Sequence, residues 1–268
     1  MIADIDRVHY HLEVTGQGFP LLLLHGFTGD GSTWSPFLEE WGHHSRLMIP
    51  DIIGHGKTDS PKELSFYQMD TMAYSLKSIL DQMGINQTDL LGYSMGGRLA
   101  LTFALLFPNR VRKLILESTS PGLKTTGERE LRRMNDAKLA QFIIDEGMES
   151  FVEYWEEIPL FHSMKKLPAS VQNQVREQRL KNSPQGLSNS LLGMGTGAQP
   201  SWWNQLSKVN SDVLLLTGGE DLKFCQIAAE MAPKLSKAKW IVVENCGHAI
   251  HVEEPEKFGT IVSDFLST

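Results

Sequence analysis

Twelve residues, Asp89-Leu-Leu-Gly92-Tyr-Ser94-Met-Gly96-Gly97-Arg98-Leu-Ala, constrain the fold of this chain more than any others. An apolar approach runs into GxSxG and then into a helix-forming stretch, which is the strand, sharp turn and helix of a nucleophile elbow. A strained turn that pushes a serine hydroxyl out at a strand end leaves no room for Cβ atoms beside it, and this accounts for Gly92 and Gly96. Ser94 is therefore the candidate nucleophile or base. In a chain with 23 glycines the pattern also arises by chance, so the remaining residues must supply the partners such a serine needs.

Hydrophobic patterning predicts strands over residues 8–14, 20–24, 46–50, 88–93 and 111–117, and again over 213–217 and 240–243. Helical spacing falls between them, over 68–83, 95–107, 226–235 and 255–266. Alternating strands and helices imply an α/β fold with a mostly parallel central sheet and right-handed crossovers. Between these two runs no strand is evident. Residues 128–146, 148–157, 169–181 and 186–194 read instead as helices rich in charge and aromatics. The expectation is a core in two pieces, 1–119 and 201–268, with a helical cap over 120–200 above the strands' carboxyl ends.

Composition excludes several function classes. The formal net charge of -7 argues against a nucleic-acid surface, which needs clustered excess Lys and Arg. The start of the chain lacks a signal peptide's apolar core and no later run is long enough to span a bilayer, so a cytoplasmic protein without membrane insertion is expected. Cys225 and Cys246 lack CxxC spacing and read as inert thiols. The Gly-rich stretch 51–60 lacks the GxxxxGK[ST] frame of a phosphate loop and reads as a tight turn.

A serine hydroxyl is a poor nucleophile or base unless a histidine takes its proton, and the imidazole needs a carboxylate to fix its tautomer. On an elbow fold the order is serine, acid, histidine. Gly218-Gly-Glu220-Asp221 and Asn245-Cys-Gly247-His248 follow two predicted strands, on the same side of the sheet as Ser94. Asp221 is the candidate acid and His248 the candidate base. Glu220 and His251 are their nearest rivals, whereas Asp212 precedes its strand and lies at the wrong end. The loop His25-Gly-Phe27-Thr-Gly29 follows the strand at 20–24, where such sheets place ligands. Phe27 and Met95 are the candidate amide donors of an oxyanion hole, with His25 read as a brace for the loop.

These motifs, HGF, DxxGHGxT, GYSMGG, GGED and GHxxHxExPExF, resemble the α/β-hydrolase superfamily over the whole length of the chain. Epoxide hydrolases and dehalogenases carry an aspartate at the elbow, where this chain has Ser94. Within the superfamily, GYSMGGR and the cap motifs resemble the 2-succinyl-6-hydroxy-2,4-cyclohexadiene-1-carboxylate synthases of menaquinone biosynthesis. That resemblance implies a lyase that eliminates pyruvate, uses no metal or organic cofactor, and takes a small polycarboxylate as substrate. It also implies that Arg98, Arg132 and Arg179 hold carboxylates, and that Tyr93, Trp155 and Phe161 line the pocket, with Arg133 a rival for Arg132. Arg98 lies one helical turn beyond Ser94 on the same face, and arginine suits bidentate carboxylate recognition better than any other side chain. Two other classes stay in view: a serine hydrolase acting on a small anionic ester or dicarbonyl acid, and a ligand-binding protein with a vestigial triad. The second would show a damaged triad or oxyanion loop, and neither is seen.

Overall fold

A computed structural model describes residues 1–268. Eight strands form one sheet: β1 (Ile2–Ile5), β2 (Val8–Thr15), β3 (Phe19–Leu24), β4 (Ser45–Pro50), β5 (Thr88–Tyr93), β6 (Val111–Glu117), β7 (Asp212–Gly218) and β8 (Ala238–Val243). Their spatial order is β1-β2-β4-β3-β5-β6-β7-β8. β2 runs antiparallel to β1 and β4, and every pairing from β4 to β8 is parallel. Parallel strands are covered on both faces and so read as continuous apolar runs, with alternate residues serving opposite cores. Leu22, Leu24, Leu90, Leu114 and Leu215 enter one core, while Leu21, Leu23, Leu91, Ile115 and Leu214 enter the other.

Helices α1 (Leu38–Gly42), α2 (Met69–Gln82) and α3 (Met95–Leu106) follow the early strands. The cap helices α4 (Thr126–Glu156), α5 (Ala169–Leu180) and α6 (Pro184–Met194) lie between β6 and β7, and α7 (Leu222–Met231), α8 (Ile250–Glu253) and α9 (Pro255–Ser267) close the chain. The first core takes α2, α3 and α7 through Met72, Leu76, Leu99, Phe103 and Met231. On the opposite face Trp41, Ile250 and Phe258 bring in α1, α8 and α9. No helix is long and apolar enough to cross a membrane.

Three local differences from the sequence expectations have physical causes. β1 was not anticipated, because the hairpin joining it to β2 turns at Asp6 and Arg7, both at positive φ (49° and 70°), without a glycine to mark it. α7 starts four residues before 226, because Asp221 caps it by accepting a hydrogen bond from the Phe224 N–H at 3.3 Å. α4 contains the break expected at 147: Gly147 adopts φ 77°, ψ 179° and divides it into two helical lengths.

The cap has a small apolar core of its own, Ala140, Ile143, Phe151, Val152, Leu187 and Leu191. It docks on the sheet domain through close backbone contact. A Cβ on Gly186 would lie 2.1 Å from the Gly54 carbonyl, so α6 rests directly on the glycine-rich loop. Asn182 ties two core loops to the cap, donating to Thr28 O at 2.8 Å and accepting from Gly56 N at 3.3 Å. Beneath that junction His25 and His55 pack with ring centroids 5.2 Å apart. His25 accepts the Ile52 N–H on Nε2 at 2.9 Å, which leaves Nδ1–H to donate to Gly26 O at 2.8 Å, and His55 Nδ1 donates to Ile53 O. His25 thus braces the loop that carries Phe27.

Burial lowers the pKa of both histidines, and for His55 burial with the nearby His25 takes it down to about 3. Below pH 6.5 the unfolded chain binds a proton at His55 that the folded chain resists until about pH 3, so stability falls as pH drops through that window. His55→Phe removes this titration. Urea unfolding is expected to show wild type losing more stability than the variant as the pH is lowered from 6.5; parallel pH curves for the two proteins would contradict this.

Candidate active site

Ser94 sits between β5 and α3 at φ 50°, ψ -105°, a conformation L-residues avoid. The neighbouring glycines explain how it is tolerated. A Cβ on Gly92 would lie 2.4 Å from Gly96 O, one on Gly96 2.3 Å from Leu24 O, and one on Gly97 1.8 Å from Thr119 Oγ1. α3 therefore comes so close to β3, β5 and the segment after β6 that only glycine fits at three positions. The Ser94 N–H is held by Glu117 O at 2.9 Å.

Asp221 Oδ2 lies 2.6 Å from His248 Nδ1, and His248 Nε2 lies 3.0 Å from Ser94 Oγ. A carboxylate facing Nδ1 requires the proton there, so the Nε2 lone pair faces the serine hydroxyl. Asp221 divides its oxygens between two tasks, Oδ1 capping α7 and Oδ2 orienting the histidine.

The rivals lie elsewhere. Glu220 points outward to Lys166. His251 is buried behind the elbow, its N–H and Nδ1 both donating to the fully buried Glu117 carboxylate at 3.1 and 2.9 Å. Its ring meets Tyr93 edge-on at 4.5 Å. Glu253 accepts the Gly247 and Ala249 N–H groups, so carboxylates grip the His248 loop at three amides.

Ser94 and His248 open into a cavity of about 300 Å³ beneath the cap. Phe27 and Met95 line it, and neither backbone N–H donates to a protein acceptor. The Tyr93 ring packs on Gly26, where a Cβ would come within 2.6 Å, and burial raises its phenol pKa well above the ordinary value. Trp155 and Phe161 form the cap wall: Trp155 lies 5.5 Å from the Phe27 ring and 5.8 Å from Phe161, and its buried indole N–H has no protein acceptor. The two aromatics are at once cap packing and cavity lining.

Arg98 and Arg132 line this cavity. One Arg98 nitrogen, Nη1, donates to Met194 O and Gln199 Oε1, both at 2.6 Å, which fixes the guanidinium without neutralising it. Burial and then Arg132 push the Arg98 pKa down to about 9, with Asp136 opposing, so it stays cationic at neutral pH. Arg132 donates from Nε to Asp136 at 2.7 Å. Arg133 faces away, onto Gly197 O. Arg179 lines a second cavity of about 360 Å³, separated from the first by Phe27, Tyr93 and Phe161, which face both. Its guanidinium lies 4.8 Å over the Phe161 ring and 3.5 Å from Glu156. The expected convergence of three arginines is met by two.

Sequence reasoning missed two residues that line the cavity, Ser190 on α6 and Lys223 on α7, and one that positions Arg98, Gln199. Gln199 and Ser190 come from cap segments with no distinguishing pattern. Lys223 did carry a faint signal, a cation two residues after the acid.

Residues 20–255 match the alpha/beta hydrolase fold family, and the chain belongs to it. A Bacillus subtilis (strain 168) protein, provisionally named 2-succinyl-6-hydroxy-2,4-cyclohexadiene-1-carboxylate synthase, is 47% identical over 269 aligned residues, covering 100% of this chain and 98% of that protein. The synthase of that name from Klebsiella pneumoniae subsp. pneumoniae is 30% identical, covering 94% and 95%. Among solved structures, MenH from S. aureus superposes with a TM-score of 0.92 at 36% identity, covering 97% and 98%. Within the hydrolase-fold family the chain groups with these synthases.

The two rivals to the triad, His251 and Glu220, differ sharply in setting. His251→Ala strands the buried Glu117 carboxylate and is expected to cost about 3–5 kcal/mol in urea unfolding. Glu220→Gln breaks only the exposed pair with Lys166 and should cost less than ~1 kcal/mol. Similar losses in the two variants would count against the buried role given to His251.

Proposed function

We propose that this chain eliminates pyruvate from 2-succinyl-5-enolpyruvyl-6-hydroxy-3-cyclohexene-1-carboxylate to give 2-succinyl-6-hydroxy-2,4-cyclohexadiene-1-carboxylate. The observation that carries the reading is the cavity above Ser94, where the Ser94–His248–Asp221 relay faces two arginines with donors left over. Arg98 keeps Nε and Nη2, and Arg132 keeps both Nη groups, without protein acceptors. A pocket for neutral esters has no use for charged donors beside its serine. The names of the relatives point to the same reaction.

The chemistry follows from the two structures. The product's 2,4-diene requires loss of the proton at ring carbon 2, movement of the 3,4 double bond, and departure of the enolpyruvyl oxygen from carbon 5. The carbon-2 proton lies next to the succinyl ketone. Ser94 Oγ, with its own proton drawn to His248 Nε2, removes that proton, and Asp221 stabilises the imidazolium that forms. Negative charge moves onto the ketone oxygen, where the Phe27 and Met95 N–H groups receive it. The electron pair then forms the new double bond as the carbon–oxygen bond breaks, and the leaving enolate takes a proton to become pyruvate. No acyl-enzyme forms, so the serine acts as part of a base. Arg98 and Arg132 hold carboxylates, and Tyr93, Trp155 and Phe161 enclose the ring.

Purified protein is expected to release pyruvate from this precursor. Ser94→Ala and Asp221→Asn should each lower kcat by at least about 10³-fold, the loss typical when a triad member is removed. Rapid cleavage of p-nitrophenyl acetate with no pyruvate release would replace this reading with a serine hydrolase. Unchanged pyruvate release by Ser94→Ala would sink the mechanism.

A further inference from the structure

Lys223 follows the acid Asp221 by two residues, in the first turn of α7, and lines the same cavity as Ser94, Arg98 and Arg132. The next residue, Phe224, packs against His248 with ring centroids 4.6 Å apart, so the lysine's backbone is anchored beside the base. Lys223 is exposed at the cavity's edge and makes no ion pair or hydrogen bond with the protein, and its ammonium lies 5.5 Å from the Phe224 ring centroid.

The other cations around the cavity are occupied. Lys124 pairs with Glu230. Arg132 is paired through Nε with Asp136, and Arg98 is fixed by two neutral acceptors. The acid Glu128 is absorbed in capping α4 through Thr125. Lys223 also lies within electrostatic reach of Arg132: desolvation and the Arg132 charge hold its ammonium below the usual lysine range, with Asp221 opposing. Asp221 is itself committed to His248. Like charges facing one space, with its acids Glu128 and Glu230 engaged by other partners, repel until an anion arrives, and they bind that anion more tightly for it.

We propose that Lys223 is the third carboxylate-binding cation of the site, completing with Arg98 and Arg132 a set of positive charges equal in number to the substrate's carboxylates. The inference rests on the lyase reading. That substrate carries a ring carboxylate, a succinyl carboxylate and an enolpyruvyl carboxylate, while only two guanidinium groups face Ser94. Arg179, which the family resemblance offered for such a role, lines the neighbouring cavity beyond Phe161. A lysine suits the exposed edge, since a mobile ammonium meets a carboxylate that must later leave without imposing a fixed fork geometry.

Lys223→Gln tests this at a position where the fold is not at risk. Pyruvate release should show KM raised about tenfold or more with kcat within about threefold, the signature of lost uniform binding. Lys223→Arg, which restores the charge, should return KM to within about threefold of wild type. A KM within twofold in Lys223→Gln, or an arginine variant as impaired as the glutamine one, overturns the proposal. If the wild type releases no pyruvate, the lyase reading itself fails. Calorimetric titration with tricarballylate then decides for Lys223 alone: binding at least about fivefold weaker in Lys223→Gln supports it as a carboxylate site, and equal binding, or none to the wild type, rules it out.

Discussion

The close approach of α3 to the sheet is the constraint on which the rest of this structure depends. Ser94 is held at positive φ because the helix that follows it starts almost in contact with the backbone of β3 and β5. Holding an L-residue there costs on the order of 1–3 kcal/mol. The hydrogen bond from Ser94 N to Glu117 O and the packing of three glycines offset that cost. The same residue, Glu117, reaches with its carboxylate to His251, three positions beyond the base. One strand end thus restrains both the serine's chain and the histidine's chain, and the 3.0 Å separation of Ser94 Oγ and His248 Nε2 follows from that shared anchorage.

The second theme is electrostatic. A chain with a formal net charge of -7 builds, under its cap, a cavity in which Arg98 and Lys223 face the open space without an acidic partner. Its acids are engaged by other groups: at the cavity itself Glu128 caps a helix and Glu230 pairs with Lys124, while outside it Glu220 pairs with Lys166 and Glu117 lies behind the elbow. What remains over Ser94 is a relay able to move one proton, two amides able to receive negative charge, and fixed positive groups. That combination serves proton abstraction from an anionic substrate better than acyl transfer to an apolar one.

Much of the fold was legible in the chain. Buried parallel strands are continuous apolar runs, so β3, β5, β6 and β7 announce themselves, and the break at Gly147 could be read from a glycine between two helical patterns. Asp221 and His248 could be singled out because each follows a strand on the serine's side of the sheet, and the structure brings them into hydrogen-bond contact. The β1–β2 hairpin was hidden because Asp6 and Arg7 turn it without glycine. Within the cap, a helix shows which residues share a face but not which face meets the cavity. The resemblance therefore offered Arg132 and Arg179, with Arg133 a rival for the first, and of these only Arg132 lines the cavity of Ser94.

The sequence by itself determined the local chemistry: a strained serine between glycines, an acid and a histidine at strand ends, and an arginine one turn beyond the serine. These are short-range relations, dictated by backbone sterics and by the periods of strand and helix. Tertiary structure alone decided which charges share a space. Phe27, Tyr93 and Phe161 place Arg179 in a neighbouring cavity, and the early start of α7 brings Lys223 to the edge of the one above Ser94. No local pattern encodes that choice, because it depends on how the cap packs across the sheet, between residues far apart in the chain.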